Sequence, residues 1–179
     1  MLRLTTSQLE IQCDRTADRY SSKILANAGR GFHVVLRSIE GSNQDSAPPS
    51  PPIQQAVLDE IGADQKAILG VGMSGKSHWS SSIHWDQAAS QMVFDIACRC
   101  NETINWLGST YECCEDSHVE MPLQGVLLRK HDQTVATLVA LDNCVLSILD
   151  QRIQIIANLA GSEKLPRTIR WQYAIRISQ

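Results

Sequence analysis

Residues Gly70-Val-Gly-Met-Ser-Gly75-Lys76-Ser77 spell G-x-x-x-x-G-K-[ST], the pattern of a phosphate-cradling loop. The chemistry of that pattern is specific. Backbone N–H groups wrap the phosphates, the lysine reaches the terminal ones, and the hydroxyl ligates Mg²⁺. It also needs a strand entering and a helix leaving, so that the helix N-terminus faces the anion. Lys66–Leu69 supplies a candidate strand. After Ser77 the chain reads HWSSSIHW, whose period is two and whose serines and tryptophans make a poor helix. The expectation is therefore a glycine-rich connection between two antiparallel strands. A nucleotide-binding enzyme using Gly70, Gly75, Lys76 and Ser77 with Mg-ATP or Mg-GTP is the alternative.

A second set could hold a metal. Cys98, Cys100, Cys113 and His118 offer thiolate and imidazole ligands for zinc. Zinc knuckles space their cysteines by two to four residues, which wraps a turn around the ion, and neither C-x-C nor the adjacent Cys113-Cys114 does this. Core packing is the expectation for these thiols, with zinc as a further alternative and no cofactor as the first reading. His78, His84, His118 and His131 are available bases. No nucleophile sits in a recognisable elbow, so no catalytic residue is assigned and enzymatic activity stays open.

Four tryptophans, at 79, 85, 106 and 171, stand out against two phenylalanines. On a strand, Trp79, Ile83 and Trp85 share one face while Ser80, Ser82 and His84 share the other. Trp79, Trp85, His84 and Trp106 are the candidate ligand-binding or association residues. The favoured function is a non-catalytic β-rich domain that binds a small molecule or a protein, with a homodimer compatible with it.

The elements that position these residues are read as follows. A chain of 179 residues with 43% hydrophobic content builds one domain, 1–179. Its net charge of −3, with scattered Lys and Arg, gives no reason to expect nucleic acid. No apolar run approaches the roughly 18 residues of a membrane span. Six cysteines without an export signal point to free thiols and a cytoplasmic location. Asp14–Ala28 reads as a helix, with Asp14 as N-cap, apolar Ala17, Tyr20, Ile24 and Ala28, and Gly29 as C-cap. The Pro/Ser-rich stretch 41–52 reads as a flexible surface loop. Residues 53–69 fit either a short helix, on the spacing of Ile53, Val57 and Ile61, or a hairpin of Ala56–Ile61 and Lys66–Leu69, and the hairpin is the reading taken. Residues 144–160 fit either a helix ending at Gly161 or two strands across Asp150-Gln151. Met92–Cys100 and Thr168–Ser178 alternate cleanly and read as half-buried strands. The predicted class is α+β: mainly antiparallel sheet, as a sandwich or partial barrel, with one N-terminal helix and 144–160 as the candidate for a second.

Overall fold

The clearest alternation in the sequence becomes the middle of the larger sheet. In the computed structural model, which describes residues 1–27, 29, 31–42, 44–62, 65–114, 117–123, 125–130, 133–161 and 164–177, β8 (Gln91–Cys100) pairs with β15 (Arg167–Ile177) and sets Phe94 opposite Tyr173. Inward residues Met92, Phe94, Ile96 and Cys98 face the core beside Trp171, Tyr173 and Ile175. Each large apolar side chain buried this way stabilises the fold by about 1.5–3 kcal/mol.

Two antiparallel sheets pack on one another. The eight-stranded sheet runs β10 (Ser117–Glu120), β11 (Val126–Lys130), β12 (Gln133–Asp142), β15, β8, β7 (Ser77–Asp86), β6 (Gln65–Ser74) and β5 (Ile53–Gly62). The seven-stranded sheet runs β1 (Leu2–Thr5), β2 (Leu9–Thr16), β3 (Arg19–Asn27), β4 (Phe32–Ser38), β9 (Gly108–Cys113), β14 (Arg152–Ala157) and β13 (Cys144–Leu149). Among the described residues no helix forms, so the class is all-β and not the expected α+β. It follows that no described helix is long and apolar enough to cross a membrane.

The expected helix over Asp14–Ala28 is instead a hairpin of β2 and β3 that turns at Ala17-Asp18, with Ala17 at φ +57°. Its charges act across strands and do not complement a helix dipole: Lys23 Nζ lies 2.7 Å from Asp14. The true face, Tyr20, Ser22, Ile24 and Ala26, loses its apolar alternation because Ser22 points at a polar cavity. Residues 144–160 form β13 and β14, joined by Asp150 and Gln151 at φ +49° and +63°. Two consecutive left-handed residues are the signature of a tight hairpin turn. The helical pattern ran through Leu146, Leu149, Ile153, Ile156 and Ala160, of which Leu149 is apolar yet exposed. Residues 53–69 do form a hairpin, β5 with β6. Parts of these expectations fall on Ala28, Ala63, Asp64, His131 and Ser178, which lie outside the described residues.

Stretch 41–52 connects β4 in one sheet to β5 in the other. Its second half is tied down as a strap: Pro48, Ser50 and Pro52 are buried. Thr110 donates from Oγ1 to the Pro49 carbonyl at 2.9 Å and from its backbone N–H to Ser50 Oγ at 3.2 Å. Ser74 Oγ donates to the Asp45 carbonyl at 2.6 Å. Prolines suit this role because a strap between sheets has no ladder for their missing N–H groups to join.

Candidate functional site

Beneath the strap, between the sheets, lies a cavity of about 60 Å³. One side is apolar, formed by Ile68, Ile83, Phe94 and Ile96 from the larger sheet. The cavity's polar groups come from four places in the chain, three in the smaller sheet or its exit and the last in the larger. β3 contributes Ser22, β4 and its exit contribute Ser38 and Glu40, β9 contributes Tyr111, and β15 contributes Tyr173.

The polar groups form a chain of contacts. The Ser22 N–H donates to Ser38 Oγ at 2.7 Å, and Ser38 Oγ donates to Glu40 Oε1 at 2.6 Å. Tyr111 and Tyr173 share a hydrogen bond of 2.7 Å between their hydroxyls, joining the two sheets. Their rings meet edge to face, and the Tyr173 ring stacks on Phe94 with centroids 4.7 Å apart. These contacts fix both phenols in place, since stacked and edge-to-face pairs add to the burial energy.

Electrostatics follow from burial. Burial pushes the Glu40 carboxyl up to about 7, against the opposing pull of the Ser38 hydrogen bond and the nearby Arg19 charge. Burial likewise holds both tyrosine hydroxyls well above their ordinary range, so both stay protonated. The Cys13 thiol is raised to about 12, first by burial and then by the charges of Asp14 and Glu40. A thiol held neutral in this way is a poor nucleophile. The buried Glu40 Oε2 has no hydrogen-bond partner among the described residues. Buried polar atoms are nearly always paired, with protein or with water, so this one calls for a partner that the described residues do not supply. No protein family, curated protein or solved structure matches this chain.

The residues singled out from sequence are dispersed. Trp79 is buried in the core on the inner face of β7. Trp85 is half-buried at the end of the same face, where it borders a surface cleft together with His84, Lys66 and Asp86. Trp106 is half-buried ahead of β9, with its ring over Gly108. Trp79, Trp85, His84 and Trp106 therefore do not converge on one surface. Gly75-Lys76 is the two-residue turn between β6 and β7, and Ser74 pairs with Ser77 across it. No helix follows. The Lys76 N–H already donates to Glu102 Oε1 at 3.0 Å, which puts a carboxylate where a phosphate would sit. Ser77 is buried, and Asn101 Nδ2 donates to the Lys76 carbonyl at 2.7 Å. Gly70 faces the interior cavity.

Cys98 and Cys100 lie side by side facing the core with their sulfurs 3.7 Å apart. Cys113 is half-buried on β9, and His118 is exposed on β10 beside Glu120. Among the described residues no group of three or more His, Cys, Asp or Glu side chains could hold a metal ion.

Sequence reasoning missed Glu40, Ser22, Ser38 and Tyr111 as site residues. The available signal was chemical: each inward tyrosine on a strand brings a hydroxyl that must find a partner.

Proposed function

We propose that this protein is a non-catalytic binding domain whose ligand enters the sandwich interior beside Glu40, Tyr111 and Tyr173. The observation that carries this reading is the partnerless Glu40 Oε2 at a cavity that is apolar on its other side. A site with one apolar wall and a few converging polar groups is the usual form of a small-molecule pocket. The groups also indicate the class of ligand. The paired phenols, and the carboxyl in its protonated form below about pH 7, together offer donors and acceptors, which suits a neutral amide or hydroxyl head. At about 60 Å³ the cavity takes roughly four heavy atoms, one for each 10–15 Å³ that a water needs. Tyr20, Pro51, Ile53 and Ala56 line it while remaining partly exposed, so a longer apolar tail has a way out over them.

The test uses acetamide and hexanamide as probes. Backbone amide signals of Ser22, Ser81 and Ser109 should shift saturably with both. Hexanamide should bind at least tenfold tighter, because each further buried methylene adds about 0.8 kcal/mol. Tyr173→Phe keeps the stack on Phe94 and removes one hydroxyl, and should weaken both probes by about tenfold. Absence of a saturable shift at those three amides would remove the proposal. Equal affinity for the two probes would remove the exit path for the tail.

A further inference from the structure

The sheet edges of this molecule are unequal. β1, β10 and β13 are four, four and six residues long. β5 is ten residues long, IQQAVLDEIG, and contains no Lys, Arg or Pro. Proteins usually blunt such edges with those residues, with short strands or with bulges, because unpaired backbone groups recruit another strand. Here the irregularities lie only at the two ends, near Ile53–Gln55 and Glu60–Gly62. At the first of them Gln54 substitutes for the ladder: its side chain accepts from the Met73 N–H and donates to the Met73 carbonyl, both at 2.8 Å. β5 is thus kept against β6 and regular between Gln55 and Glu60. Val57 on β5 and Val71 and Met73 on β6 are also exposed, at 56%, 52% and 46%, and their odd numbering puts them on the outer face of the sheet.

We infer that β5 is a self-association edge, pairing antiparallel with β5 of a second copy about a two-fold axis at Val57. An axis perpendicular to a sheet keeps outer faces together, so each residue must meet one an even number of positions away. The registers this allows are few. Centring on Val57 sets Val57 against its own copy, Ala56 against Leu58, and Gln55 against Asp59. Centring on Leu58 would place Asp59 against Val57 and Glu60 against Ala56. Centring on Asp59 would set like charges face to face, which is unfavourable. Only the Val57 register gives Asp59 an amide partner while setting Val57 beside its copy on the outer face and Ala56 beside Leu58 on the inner one. That self-complementarity favours a second copy over a foreign strand.

Sedimentation velocity of the full chain over a concentration series tests the inference. Wild type should pass from monomer to dimer. Gln55→Lys places a cation opposite Asp59 twice by symmetry and should tighten the dimer about tenfold. Gln55→Glu should weaken it by a similar factor. Residue 55 is exposed, so circular dichroism should show both variants folded as wild type. A chain that stays monomeric at millimolar concentration would overturn the inference and leave the edge to a strand from another protein. A dimer indifferent to the charge at position 55 would overturn it as well.

Discussion

Glu40→Gln raises the thermal midpoint at pH 8 by about 5 °C and flattens the pH dependence of stability. The carboxyl ordinarily titrates at 4.5, and in the folded chain it titrates at about 7. Between these values the folded chain keeps a proton that the unfolded chain has lost. Stability therefore falls as pH rises through that window. It is undiminished below 4.5 and fully reduced above 7. The difference corresponds to a ceiling of about 3 kcal/mol. Gln keeps the acceptor for Ser38 but leaves an amide N–H₂ in place of Oε2, so about 2 kcal/mol of the ceiling is expected at pH 8. For a chain of this length that is a few degrees per kcal/mol. At pH 4 the variant should unfold about 2–4 °C below wild type, since the ionisation penalty is absent there and the cost of the amide N–H₂ remains. Thermal melts at several pH values check this. A variant less stable than wild type at pH 8 would mean that Glu40 is ionised and well solvated in the fold.

Gly72→Ala should cost on the order of 3 kcal/mol, while Lys76→Ala should stay within about 0.5 kcal/mol. A Cβ at position 72 would lie 1.7 Å from the Pro52 carbonyl oxygen and 3.0 Å from the Gln54 nitrogen. Cβ has no rotamer with which to escape, so the strap must lift off β6, straining its ties to Thr110. Lys76 is exposed and engages its neighbours through its backbone N–H and carbonyl, which Ala retains. Urea unfolding of the two variants gives the comparison. A phosphate cradle would reverse the emphasis for binding: calorimetry with Mg-ATP would then give heat for wild type that Lys76→Ala abolishes. The glycines of this motif have steric and turn-forming reasons to be there. Gly72 admits the strap, and Gly75, at φ +56°, makes the turn.

What could be read from the sequence, and what could not, divides along one physical line. β7, β8 and β15 were legible because each buries one face along its whole length and keeps the period of two. The helix expected at Asp14–Ala28 was an error of the same origin. Ser22 sits on the inward face of β3 because it faces the cavity, and the polar lining of that cavity erased the alternation. The exposed Leu149 did the same for β13 by adding an apolar residue where water was expected. Tyr173 was placed on a strand, but its hydrogen bond to Tyr111 spans 62 residues of sequence. No local pattern encodes it. The strap was likewise opaque, since prolines and serines in a connection look alike whether they cross solvent or a seam between sheets.

The order of strands in the larger sheet bears on how the molecule is made. β15 comes last of the described strands, yet it lies between β8 and β12. A ribosome delivers the neighbours first, and each waits with bare backbone until the central piece emerges. Nascent chains should therefore be guarded by a holding chaperone until β15 has emerged, and stop codons ahead of residue 167 should yield insoluble product where a peripheral strand's loss would not.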